Sequence, residues 1–99
     1  MRWIKVDWER PAGQAPDDEP VTIISEVGDD DYETRRVERY ADGRLAWADA
    51  SVDADEISLA EKPIGALEEI AAASDADSRF VPSEITRDEF ERQWAAAGV

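Results

Sequence analysis

A chain of 99 residues holds one hydrophobic core rather than two, so a single domain over residues 1–99 is expected. Hydrophobic residues make up 42% and charged residues 36%, and four Trp, two Tyr and two Phe are more aromatic residues than a disordered chain of this length carries. Cys and His are both absent, which excludes disulfides, thiolate or imidazole metal sites, thiol nucleophiles and His-based triads built from this chain alone.

The net charge of −14, from 25 acidic and 11 basic residues, repels phosphate backbones and argues against a nucleic-acid partner. The same field attracts a basic protein and speeds encounter with it. The competing explanation is that the acidity serves only solubility or adaptation to salty surroundings. The opening Met-Arg-Trp-Ile-Lys-Val-Asp alternates in polarity and lacks the apolar run of an export signal. Nothing approaches the roughly 20 apolar residues of a membrane span. The expectation is a cytoplasmic protein with no membrane partner and no cofactor.

Residues 3–8 alternate cleanly, with Ile4, Val6 and Trp8 on one side and Trp3, Lys5 and Asp7 on the other, the period of a half-buried strand. Residues 9–20, with three Pro and one Gly, read as a loop. Residues 21–27 are β-branched enough for a second strand, the acidic 28–31 for a turn, and 32–40 for a third strand. Asp42-Gly43 is the strongest hairpin signal. A three-residue turn with Gly43 in a bulge pairs Val37 with Trp47 and Arg35 with Asp49. That register is preferred over a two-residue turn because it joins an apolar pair and an ion pair. Residues 45–49 form the fourth strand, and Ile57-Ser58-Leu59 is a candidate short one.

Residues 63–73 place Ile64, Leu67, Ile70 and Ala71 at helical spacing, with Pro63 near the first position. Residues 74–78 read as a loop. The clearest element is the last helix: Thr86 and Glu89 make a capping box, and Ile85 and Phe90 have hydrophobic-staple spacing. Phe90, Trp94 and Ala97 line one face, and Gly98 is placed to end it. The predicted fold is α+β: an antiparallel four-stranded meander with one face covered by C-terminal helix, one long and one short.

Two acidic stretches invite a calcium reading. Asp49, Ser51, Asp53 and Asp55 begin like an EF-hand loop, but Ala54 replaces the turn glycine and Ala60 the bidentate Glu; Asp75-Ala76-Asp77 fits no better. No metal site is expected. Paired carboxylates for glycoside hydrolysis carry no information in a chain with acids throughout. No catalytic residue is assigned, and the protein is expected not to be an enzyme.

Arg35, Arg36 and Arg39, with Arg44 across the turn, are the one basic concentration. They read either as an anion-binding strip or as cross-strand partners of Glu33, Glu38 and Asp49. Trp8, Trp47 and Trp94 have apolar companions in phase and read as core. Trp3 is out of phase, so it falls on the face the helix leaves open, together with Tyr32, Arg36 and Tyr40 if Val37 points inward. Trp3, Arg36 and Tyr40 are therefore the candidate binding residues, since aromatic residues with Arg compose interface hot spots. The competing explanation is that Trp3 caps the sheet's edge or packs under a loop.

The stretches Ile4-Lys5-Val6-Asp7-Trp8, Asp18-Glu19-Pro20, Ser25-Glu26, Glu33-Thr34-Arg35-Arg36-Val37-Glu38, Asp42-Gly43 and Ile85-Thr86-Arg87-Asp88-Glu89-Phe90-Glu91-Arg92-Gln93-Trp94 resemble a small uncharacterised bacterial family, a domain of unknown function. The resemblance spans nearly the whole length and implies a complete domain. It carries no catalytic motif and assigns no activity. The functional expectation is a protein-interaction module, such as an immunity or inhibitor protein that neutralises a basic partner. The alternative is a small-molecule or anion sensor using the open sheet face, which could equally be covered in a homodimer.

Overall fold

The computed structural model describes residues 1–9, 20–49, 64–74 and 79–98. Five strands form one antiparallel sheet: β1 (Arg2–Glu9), β2 (Thr22–Val27), β3 (Glu33–Arg39), β4 (Leu45–Asp49) and β5 (Arg79–Glu84), in the order β4-β3-β2-β1-β5. The first four run as the expected meander. The fifth corrects the four-stranded expectation: β5 adds to the free edge of β1, pairing Trp8 with Phe80 and Val6 with Pro82. Pro82 interrupts the strand pattern in the sequence, and the fold tolerates it because β5 is an edge strand, where a missing ladder N–H is affordable.

The β3–β4 hairpin has the register that the Asp42-Gly43 signal favours, with Val37 opposite Trp47 and Arg35 opposite Asp49. Tyr40 N donates to Arg44 O (2.9 Å), Gly43 N to Tyr40 O (2.9 Å) and Arg44 N to the Asp42 carboxylate (2.9 Å). Gly43 closes the turn at φ +89, the left-handed region. An added Cβ there would meet nothing within 4 Å, so Gly43→Ala strains the backbone alone. The expected cost is about 1–2 kcal/mol, read from the urea midpoint. A cost near zero would show that the turn is free to re-form in the two-residue register.

Two helices pack on opposite faces of the sheet. Helix α2 (Arg87–Ala96) begins at Thr86, whose hydroxyl accepts from Glu89 N at 3.1 Å, and ends before Gly98 at φ +94. Its Phe90 joins Ile24 and Val37 in the central core, flanked by Trp3, Leu45, Ile85, Trp94 and Ala97. Trp47 meets Trp94 edge-on at 5.4 Å between ring centroids. The Thr86 half of the capping box and the apolar stripe of this helix are thus in place, and Ile85 packs against the cluster that holds Phe90.

Helix α1 (Leu67–Ala72) is shorter than the 63–73 pattern predicts, and Pro63 lies outside the described residues. The backbone before it is held elsewhere: Ile64 N donates to Asp31 O (2.6 Å), and Ile64 O accepts from the Arg2 guanidinium (3.1 Å). Those two bonds tie Ile64 to the β2–β3 turn, so the helix starts three residues later.

The expectation that α2 covers Ile4, Val6 and Trp8 is overturned. The register pairs Lys5 with Ile24, Ile24 with Val37, and Val37 with Trp47, and directly opposed residues share a face. That face, which also carries Trp3, lies under α2. Ile4, Val6 and Trp8 point to the other side, where α1 sits and where Trp8 packs on Phe80 at 5.3 Å. Both faces bury apolar residues, so neither is left open along its whole width. The Ile57–Leu59 strand, residues 10–19 of the 9–20 loop and the 75–77 acidic stretch lie outside the described residues, as does the 49–55 stretch beyond Asp49.

Candidate functional site

Strand parity divides the arginines of β3 between the two faces. Arg35 and Arg39 point toward α2, and Arg36 points toward α1. Each is engaged within the fold. The Arg35 guanidinium lies over the Phe90 ring (4.7 Å to the centroid) and the Trp94 ring (5.0 Å). Its Nε donates to Glu26 (2.9 Å), its Nη2 to Glu26 and to Glu91 (2.6 Å), and its Nη1 to Glu91 (3.3 Å). Arg39 Nη2 donates to the side-chain oxygen of Gln93 at 3.2 Å. Two of the three arginines therefore fasten α2 to the sheet.

Glu26 is the acceptor at the centre of this network. It also accepts from Trp3 Nε1 (3.0 Å) and Thr34 Oγ1 (2.8 Å), and its side chain is only 8% exposed. The Arg35 hydrogen bonds hold its carboxyl well below the ordinary 4.5, at about 2; burial opposes them, and Thr34 and Trp3 add to them. Arg35 likewise lowers the carboxyl of Glu91, at the exposed end of the network.

On the α1 face, Arg36 Nε donates to both oxygens of Glu33 (2.9 and 3.0 Å) and Nη1 to Glu38 (3.1 Å). Ser25 Oγ donates to Glu33 at 2.5 Å and Tyr40 Oη to Glu38 at 3.0 Å. The Glu33 side chain is fully buried and that of Glu38 nearly so. A buried guanidinium held by two carboxylates gives this cluster a formal charge of −1 rather than a positive one.

Beside it lies a pocket of about 340 Å³. Its floor is Ile4, Val6 and Ile23, with Ser25 and Arg36 at one end and Phe80 at the other; Ile64, Gly65, Ile70 and Ala73 form the opposite wall. The walls are apolar except at the Ser25–Arg36 end.

The candidate residues Trp3, Arg36 and Tyr40 do not come together. Trp3 lies under α2 and donates to Glu26, so it is neither on an open face nor capping an edge or packed under a loop. Arg36 and Tyr40 share the opposite face and are linked through Glu38. Tyr40 is buried, and Arg44 stacks on its ring at 4.4 Å. Sequence reasoning found Arg36 and named Glu33 and Glu38 among the partners of the arginines, but did not assign Ser25, Ile64, Ile70 or Phe80 to a site. The i, i+2 spacing of Arg36 and Glu38 signals that pair, whereas Ser25 depends on a β2–β3 register that shifts at the Glu26/Val27 bulge.

With this geometry in view, residues 2–99 match the family described as Domain of unknown function (DUF6881). The chain belongs to that family. No curated protein and no solved structure matches it. The DUF6881 match spans both networks and the pocket, so all three lie inside the family's domain rather than in an appended segment.

Proposed function

We propose that this DUF6881 chain is a non-catalytic interaction module that binds a basic protein, in the manner of an immunity or inhibitor protein. The observation that carries the reading is the internal engagement of Arg35, Arg36 and Arg39. The strongest basic concentration in the sequence is turned inward, toward α2 and toward Glu33 and Glu38. Acids outnumber bases both in the described residues and in segments 10–19 and 50–63, so the −14 excess is spread along the whole sequence and sets an acidic field. The exposed side chains of Asp29, Asp30, Asp42, Glu68, Glu69, Glu84 and Asp88 belong to that field. Such a field raises the encounter rate with a basic surface and discourages acidic partners.

The clamp on Arg36 also weighs against an anion sensor. A phosphate or carboxylate approaching it meets Glu33 and Glu38, which already neutralise the guanidinium.

The test is affinity capture of the intact chain from the lysate of its own cells, washed with rising salt. One basic protein retained in stoichiometric amount at low salt and released at about 0.5 M, where the Debye length is a few ångströms, is the expected result. A stoichiometric partner that is neutral or acidic, or one that stays bound at high salt without loss, would remove the electrostatic reading.

A further inference from the structure

We infer that the pocket between α1 and the sheet binds an uncharged, largely apolar small molecule with a hydrogen-bond acceptor at one end. This goes beyond the interaction proposed above and stands independently of it. The pocket's volume of about 340 Å³ falls at the lower end of the roughly 300–1,000 Å³ of small-ligand pockets. Its floor of β-branched side chains is fixed by strand pairing on both sides of β1, so the sheet preforms that side of the cavity. Ile70 and Ala73 bring α1 over that floor, and Phe80 closes one end with an aromatic edge.

Charge decides the class of ligand. Among the described residues Arg36 is the one ionised group in the lining, and its Nε and Nη1 are already occupied by Glu33 and Glu38. Its Nη2 is engaged by no described residue and remains a donor. An anion would have to displace or oppose two buried carboxylates, and a cation would lose its hydration beside a guanidinium. A neutral carbonyl, ether or hydroxyl oxygen avoids both costs and accepts from the remaining N–H. Ser25 cannot serve as that donor, because its hydroxyl proton is committed to Glu33. The apolar body then displaces water from Ile4, Val6, Ile23 and Ile70.

Two naphthalene dyes of similar size separate the alternatives. Prodan is uncharged and carries a ketone oxygen; 1-anilinonaphthalene-8-sulfonate is a permanent anion. Prodan is expected to bind the intact chain saturably with a blue-shifted emission, about tenfold or more tighter than the sulfonate. In methyl NMR it should shift Ile4, Val6, Ile23 and Ile70 while leaving Ile24, under α2, in place. Ala73→Trp fills the pocket from the exposed C-terminal end of α1, where the core is not disturbed, and should weaken prodan by about tenfold or more with the melting curve retained. Should that variant unfold, Ile70→Trp at the other side of the same wall replaces it. The proposal is overturned by absence of saturable prodan binding, by preference for the sulfonate, by shifts centred on Ile24, or by a folded Ala73→Trp protein that binds prodan as well as the parent.

Discussion

Replacing Phe90 by alanine is expected to lower the unfolding free energy by about 3–5 kcal/mol. The ring is fully buried between Ile24 and Val37, and it is the one α2 side chain that enters the centre of the core. Removing it loses more than apolar area. Trp94 packs nearly parallel to it at 6.1 Å, and the Arg35 guanidinium rests on its face. The cavity would therefore open under Trp94 and Arg35, and Arg35 cannot collapse into it while it is held by Glu26. Set against the total stability of a small domain, about 5–15 kcal/mol, such a loss brings the chain close to unfolding at physiological temperature. Urea denaturation followed by tryptophan fluorescence measures it, with an unchanged slope as the sign that the unfolded state is unaltered. A loss below about 1.5 kcal/mol would mean that α2 is not the element that closes the core.

The second large effect is expected at Arg35, and it depends on pH. Arg35→Ala leaves Glu26 buried without its guanidinium, with Trp3 and Thr34 as the remaining donors, at a cost of about 3 kcal/mol near pH 7. In the parent, Glu26 titrates at about 2 when folded, against an ordinary 4.5. A carboxyl lowered by folding contributes stability above its unfolded pKa, and that contribution is lost as pH falls from about 4.5 toward 2. Without Arg35 the largest lowering influence on Glu26 is gone and its folded pKa rises, so protonation near pH 4 costs the variant less than it costs the parent. The stability gap between Arg35→Ala and the parent should therefore narrow as pH falls from 7 to 4. Glu26→Gln should flatten the parent's acid limb over the same range. Parallel pH curves for parent and Arg35→Ala would show that the two side chains are not coupled.

These predictions depend on facts that the sequence carries unevenly. The hairpin register was legible because Asp42-Gly43 fixes the turn and only one alignment joins Val37 to Trp47. Helix α2 was legible because its cap, staple and stripe are local signals that agree. The choice of which sheet face α2 covers was not, since Ile23 and Ile24 are both apolar and the clean alternation of β1 turns its more apolar side toward α1 rather than α2. Only the pairing of Lys5 with Ile24 decides it, and that is a long-range fact. Strand β5 was hidden by Pro82, which reads as a breaker unless the edge position is known. The candidate site suffered from the same cause. Arg35 and Arg36 are neighbours in sequence, yet parity sends one to α2 and the other to the pocket, so a strip of arginines became two separate networks on opposite faces.

The central claim, that outward acidity serves capture of a basic protein, is tested most directly by the association rate of the purified chain with its captured partner as sodium chloride rises from 50 to 500 mM. The account predicts an on-rate that falls by about tenfold or more, with a much smaller change in the off-rate. An on-rate that stays flat across that range would contradict it and leave the −14 charge as a coat for solubility.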